Sequence, residues 1–186
     1  MPEPLPDHSL DNTTALLART PASLDALLRG LPDAWTLHNE GDGTWTAYDV
    51  IGHLNHCERA DWMPRARILL DHGDTRPFQP LDRLAQFKES RDKNLGELLD
   101  QFAELRAANL NQLRSWNLSP ADLEKRGRHP AFGSVTLSQL LAAWAVHDLS
   151  HVHQISRILA HQYREPIGPW TRFLGVMQCN GHSAQA

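Results

Sequence analysis

Two histidines four residues apart are the residues of this chain whose spacing most clearly suggests chemistry. His147 and His151 lie in the stretch TLSQLLAAWAVHDLSHVHQISRILAHQ, residues 136–162, where apolar residues recur at helical spacing. Side chains four apart leave one face of a helix about a turn apart, so both imidazoles lie on the apolar face. Buried imidazoles need partners. The spacing alone leaves open a pair of hydrogen-bonded core histidines or a pair of metal ligands.

A second predicted helix offers a third histidine. His53 lies at the edge of the apolar stripe that begins after Thr46. Three neutral imidazoles from two facing helices would hold a divalent ion and leave at least one coordination position open, which is typical of catalytic metal sites. Helical rotation turns His56 and His153 away from that point, and His161 lies roughly 15 Å further along the last helix. These three histidines are therefore predicted not to take part.

Arg91 lies on the apolar stripe of a third predicted helix, where an arginine is unusual. An inward guanidinium could form a buried ion pair or bind an anionic ligand, and an arginine at a core edge often extends into solvent instead. We predict that Arg91 is the substrate-binding residue. The sequence assigns no catalytic acid, base or nucleophile.

Three further polar residues share the predicted site region. Cys57 lies one turn after His53 on the same face and could join the ligands, although a small buried core residue is the other interpretation. Asp61 and Asp148 could each orient a ligand imidazole through its second ring nitrogen. For Asp148, a salt bridge or solvent exposure is the alternative.

Four long helices are predicted to position these residues in an all-α four-helix bundle. They cover about residues 10–30, 46–71, 82–116 and 136–162. Pro21 should kink or split the first helix and Pro64 the second, because proline removes a backbone donor. Thr136 and Gln139 form a capping box at the start of the fourth. A long crossover, residues 72–81, joins helices 2 and 3 and predicts that they run near-parallel.

The remaining segments are predicted to be connections and ends. Residues 117–134 should form a long connection with one short helical turn, and a short helix should cover residues 170–178. The sequence shows no strand pattern longer than a few residues. The chain is predicted to be one domain over residues 9–178, with a mobile arm at 1–8 and a tail at 179–186.

Composition argues against several function classes. The chain has 186 residues, a formal net charge of −4 and no basic run longer than KRGR at 125–128, so no nucleic-acid partner is expected. No signal peptide and no membrane-spanning apolar run are recognised, so the expectation is a cytoplasmic protein without a membrane partner. Two cysteines are too few for a disulfide framework. The motifs of di-iron carboxylate bundles, zinc metalloproteases and phosphate-binding loops are absent from the sequence.

The motifs together resemble the DinB/YfiT-like metalloprotein family. The resemblance rests on Trp45 followed by GHLNHCE, and on HDLSHVHQI in the last helix, and it covers about residues 10–163. It implies a four-helix bundle with a long crossover between helices 2 and 3. It also implies a metal triad at His53, His147 and His151. The family is similar to thiol-dependent enzymes such as bacillithiol S-transferases and mycothiol-dependent maleylpyruvate isomerases.

The resemblance implies a metal-dependent enzyme. Transfer of a metal-activated low-molecular-weight thiol to a small electrophilic substrate is the leading interpretation. Metal-assisted hydrolysis and a non-catalytic, stress-related metal-binding protein are the alternatives. Zinc, nickel and iron(II) all suit three histidines. A homodimer is compatible with such bundles, although no stretch of the sequence marks an interface.

Overall fold

A computed structural model of the chain describes residues 9–179, and helices dominate this range. The helices are α1 (Leu10–Leu17), α2 (Thr20–Leu28), α3 (Asp33–Thr36), α4 (Ala47–Ala60), α5 (Trp62–His72), α6 (Ala85–Ser90), α7 (Leu95–Ser115), α8 (Pro120–Leu123), α9 (Leu137–His161) and α10 (Gly175–Gln178). The other elements are two short 3-10 turns, Gly73–Thr75 and Gly168–Arg172, and two strands, β1 (Arg126–His129) and β2 (Gly133–Thr136). The predicted arm and all but the first residue of the predicted tail lie outside the described residues.

The predicted helix breaks at the two prolines are confirmed. Pro21 lies in the first turn of α2, and the first long helix splits into α1 and α2 just before it. The second long helix breaks at Asp61, between α4 and α5. Pro64 lies three residues later, and its ring would clash with the carbonyl group four residues earlier, which is that of Ala60.

The prediction of one continuous third helix over residues 82–116 is wrong. The helix is interrupted between α6 and α7, where Asn94 begins a capping box. The Glu97 N–H donates to Asn94 Oδ1 at 2.9 Å, and the Asn94 N–H donates to Glu97 Oε2 at 2.7 Å. This local N-x-x-E signal starts a new helix and outweighs the continuing apolar stripe. The short helix α6 can therefore pack separately against α4.

The connection over residues 117–134 contains the predicted short helical turn, α8, and also strand β1, which forms an antiparallel hairpin of four residues per strand with β2. Its register pairs Arg126 with Thr136 and His129 with Gly133. The Phe78 N–H donates to the Arg128 carbonyl at 2.9 Å, so the hairpin also holds the crossover. Strand β2 ends at Thr136. The capping box at Thr136 begins α9, as predicted.

Helices α4 and α7 run parallel, as the crossover required. Near the start of both, the Tyr48 hydroxyl donates to the Lys93 carbonyl at 2.7 Å. Further along both, Glu58 pairs with Arg106 at 2.8 Å. No helix within residues 9–179 is both long enough and apolar enough to cross a membrane.

Helix α9 runs antiparallel to α4, and this direction places the histidines. Trp144 contacts Glu58 near the end of α4, whereas His147, further along α9, contacts His53 earlier in α4. The apolar core forms two clusters, one around Trp144 and one around Ile155. The histidines of α9 lie between these two residues, at the junction of the clusters.

Candidate metal centre

The structure brings His53, His147 and His151 together. The Nε2 atom of His147 lies 3.2 Å from Nε2 of His53 and 3.1 Å from Nε2 of His151. One ring nitrogen from each residue lies within 4.8 Å of the other two, which is an arrangement that could hold a metal ion. Two of the three come from α9 at a spacing of four, and α4 supplies the third.

Two glutamines contact the other ring nitrogens of this site. His53 Nδ1 lies 2.7 Å from Gln86 Oε1, and His151 Nδ1 lies 2.8 Å from Gln154 Oε1. A carbonyl oxygen only accepts, so each Nδ1–H donates and each Nε2 keeps its lone pair. These lone pairs face the centre of the site, as metal ligation requires.

Asp61 and Asp148 were each expected to orient a ligand imidazole, but the two glutamines occupy that position instead. Asp148 forms a buried salt bridge with Arg106 at 2.6 Å, and Asp61 pairs with Arg65 at 2.6 Å. The alternative considered for Asp148, a salt bridge, is thus the one found. Gln154 is one turn from His151 on the same helix, so its spacing could have indicated it. Gln86 could not be recognised without the separate packing of α6.

Burial keeps the three imidazoles neutral. It lowers the pKa of His53 to about 3, with the neighbouring His151 adding to the effect. Burial also lowers the pKa of His147 well below its usual range, and it lowers that of His151. Neutral imidazole is the form that binds metal ions, so the site needs no proton loss near neutral pH.

Aromatic rings enclose the site on two sides. The Trp45 ring lies 4.9 Å from the His53 ring and stacks parallel to His151 at 6.4 Å. The Trp62 ring meets His147 edge-on at 5.0 Å. His53 and His151 are each only 6% exposed, whereas His147 is half-buried. His147 is therefore the most exposed of the three histidines.

Cys57 lies beside the site without completing it. Its Sγ is 3.4 Å from His53 Nε2, yet it is not part of the group of mutually close ligand atoms. Burial raises the pKa of this thiol well above its usual range, so the neutral form is favoured, whereas a metal ligand must be a thiolate. The structure agrees with the interpretation of Cys57 as a small buried core residue.

Arg91 does not point into the core. It follows the last residue of α6, at the break before α7, and its side chain is exposed. The inward position was predicted from a continuous third helix, and that helix does not form. An anion-binding role for Arg91 stays a prediction. The inward position that suggested this role is not found.

The remaining histidines of the two helices stay away from the site. His56 is buried and lies 3.1 Å from Glu89 through Nδ1, while His153 is exposed on the opposite side of α9. His161 is the last residue of α9. None of the three belongs to the convergent group within the described residues.

A buried ionic cluster lies beside the site, and sequence reasoning missed its central residue. Arg106 donates to Asp148 at 2.6 and 3.0 Å and to Glu58 at 2.8 Å. Glu58 also accepts from Trp144 Nε1 at 3.0 Å and from Asn109 Nδ2 at 2.9 Å. Asn109 is thus a structural hydrogen bonder. The cluster ties α4, α7 and α9 together and so fixes the helices that carry the histidines.

Replacing either glutamine by leucine should weaken metal binding without unfolding the chain. Gln86→Leu and Gln154→Leu each remove an acceptor that fixes a ligand tautomer, and such changes typically cost about 10- to 100-fold in affinity. Competition with a chromophoric chelator measures this dissociation constant. Gln112→Leu, at an exposed position of α7, is the matched control and should bind metal normally. Equal affinities in all three variants would show that the glutamines do not orient the ligands.

Together these features define an all-α bundle in which two facing helices present three histidines at one centre. The DinB superfamily model matches residues 16–155, and the chain belongs to that superfamily. Among solved structures, YfiT from Bacillus subtilis is similar, with a TM-score of 0.72 and 22% identity over 87% of this chain and 92% of that one. YfiT is described as a probable metal-dependent hydrolase with an unusual four-helix bundle topology. A comparison with curated proteins finds no match.

Proposed function

We propose that the chain is a metal-dependent enzyme that transfers a low-molecular-weight thiol to a small electrophilic substrate. The observation that carries the metal site is the pair of imidazole–glutamine contacts. They leave the Nε2 lone pairs of His53 and His151 directed at the same point as His147. Three ring nitrogens that approach one another this closely in a buried site are suited to sharing one metal ion.

The donor set fits a divalent ion. His53, His147 and His151 would hold it through nitrogen, which suits zinc, nickel or iron(II). A divalent ion there would lower the pKa of a thiol or water molecule at its open position. Gln86 and Gln154 keep the imidazoles in the required tautomer, and Trp45 limits access of bulk water from one side.

Transfer of a thiol is supported by the resemblance of the sequence to thiol-dependent enzymes. The half-buried His147 leaves an approach for a small nucleophile and a small acceptor. In the transfer, the S–H bond breaks and the sulfur forms a bond to an electrophilic carbon of the substrate. The electron pair displaced at that carbon departs with a leaving group or moves to the neighbouring atom of a double bond, and the group that receives it takes up the proton. The chain itself holds, orients and shields the reactants.

Hydrolysis is the second candidate function. The description of Bacillus subtilis YfiT as a probable metal-dependent hydrolase favours it, since that structure shares the fold. The same histidines would then serve with water in place of the thiol as the nucleophile.

Cobalt(II)-substituted protein distinguishes the candidates. We expect 2-mercaptoethanol to produce a new sulfur-to-cobalt charge-transfer band in the near ultraviolet, because the open position admits the thiol. The same titration of the His151→Ala variant should give no band. Purification without a histidine tag and metal analysis of the protein identify the native ion. A thiol-insensitive spectrum in a fully loaded protein would contradict thiol transfer and leave hydrolysis or a non-catalytic site.

A further inference from the structure

Helix α4 has a glycine at the position just before His53. Gly52 is buried in the interior of α4, although glycine is among the least favourable residues for a helix interior. A Cβ atom added at Gly52 would lie 2.5 Å from Ser90 Oγ and 3.9 Å from the Gln86 carbonyl oxygen, both in α6. The missing side chain therefore lets α6 pack directly on the backbone of α4 beside His53.

The turn of α6 that lies against Gly52 also carries Gln86. Gln86 and Ser90 are four residues apart, so they face the same side of α6. Gln86 is 1% exposed, and its Oε1 lies 2.7 Å from His53 Nδ1. The separation of α4 and α6 therefore decides whether this hydrogen bond can form.

Two further contacts hold the end of α6 against the same face of α4. The Tyr48 hydroxyl group, four residues before Gly52, also lies within hydrogen-bond distance of the Ser90 carbonyl oxygen. His56, four residues after Gly52, lies 3.1 Å from Glu89 Oε1 through Nδ1. Positions at a spacing of four share one helix face, so Gly52 is the central point of the surface that receives α6.

We propose that Gly52 is a positioning residue of the metal centre, which acts on His53 through α6 and Gln86. A side chain at this position would push α6 away from α4, because Ser90 is buried and its hydroxyl group has little room to turn. Gln86 would then lose its contact with His53 Nδ1, and the proton of this imidazole would no longer be held there. Gly52 serves a metal centre only if the three histidines bind a metal ion, so the inference rests on the proposed function.

The tautomer of His53 in the metal-free full chain is the first measurement. Long-range proton–nitrogen NMR spectra distinguish an imidazole with its proton on Nδ1 from one with its proton on Nε2. The signals that are missing from His53→Asn identify this residue. We expect the Nδ1–H tautomer in the wild type and a mixture of tautomers in Gly52→Ala. The Gly52→Ala/Ser90→Ala double variant should return to Nδ1–H, because the obstructing oxygen atom is gone.

Competition between the protein and a chelator for zinc measures the effect on the metal centre. Gly52→Ala should raise the zinc dissociation constant roughly tenfold, as is typical when a ligand histidine loses its orienting partner. The double variant should show no such loss relative to Ser90→Ala alone. Gly52→Ala should also add no loss to that of Gln86→Leu, since its effect passes through Gln86. Gly175→Ala is the matched control, because no other atom of residues 9–179 lies within 4 Å of a Cβ atom there.

Two results would overturn the proposal. One is a wild-type tautomer and a wild-type zinc affinity in Gly52→Ala. The other is a loss of the same size in the Ser90→Ala or Gln86→Leu background, which would indicate a general distortion of α4. A wild type that shows the expected tautomers but retains no zinc would overturn the proposed function alone. A wild type that retains zinc while Gly52→Ala leaves the tautomer unchanged would overturn this proposal alone.

Discussion

Alanine at His53 or at His151 should abolish metal retention. Each change removes one of three ligands. If structural zinc binding supplies about 10–16 kcal/mol over four ligands, the loss of one corresponds to about 2.5–4 kcal/mol, or a dissociation constant roughly 60- to 700-fold higher. Metal content after dialysis against a weak chelator, together with chelator competition, measures the loss. The fold should persist, because both side chains lie at the junction of two apolar clusters and not within either.

His153→Ala is the internal control for this experiment. His153 lies on α9 two residues after His151, but its side chain is exposed on another face. Its replacement should leave metal content unchanged, which separates loss of a ligand from a general effect of removing an imidazole. Full metal content in both His53→Ala and His151→Ala would show that the three histidines do not hold the ion, and the proposed function would then be untenable.

The histidine centre could be predicted because its signals are local. The spacing of His147 and His151 fixes their shared face, and the position of His53 on its stripe depends only on helical rotation. The helix breaks near Pro21 and Pro64 also follow from the chemistry of one residue. The convergence of the three rings depends on the antiparallel packing of α4 and α9, and the resemblance to a known family implied it.

The residues around the centre were harder to predict because they depend on competing signals. The apolar stripe through residues 82–116 was interpreted as one helix, and the Asn94 capping box, which decides the structure, was not recognised. The position of Gln86 follows from that break. The expectation that Arg91 lies on the inward face fails for the same reason, because Arg91 is exposed at the break.

Arg106 shows a different limit of sequence reasoning. It lies four residues after Phe102 and four before Leu110, so its place on the stripe is visible in the sequence. Its burial is stabilised by two carboxylates from two other helices, Glu58 and Asp148. Long-range partners of this kind have no local signature, and a buried arginine is otherwise rare.

Arg106→Ala should destabilise the metal-free chain strongly. The arginine is 1% exposed, and its removal leaves two buried carboxylates without a counter-charge. Breaking a buried ion pair in this way costs about 3–5 kcal/mol, which is a large part of the stability of an ordinary domain. Urea unfolding followed by circular dichroism should show a correspondingly lower midpoint. A second variant that also carries Glu58→Gln and Asp148→Asn should recover part of the loss, because the stranded charges are gone.

Arg114→Ala supplies the comparison on the same helix. Arg114 is exposed on α7 and contacts Asn111 at 3.2 Å, so its removal should change the free energy of unfolding by no more than about 0.5 kcal/mol. A midpoint shift for Arg106→Ala as small as that of Arg114→Ala would mean that the cluster does not stabilise the bundle. A large shift that the added Glu58→Gln and Asp148→Asn changes reduce would instead identify charge burial as the cause, since the cavity left by arginine is the same in both variants.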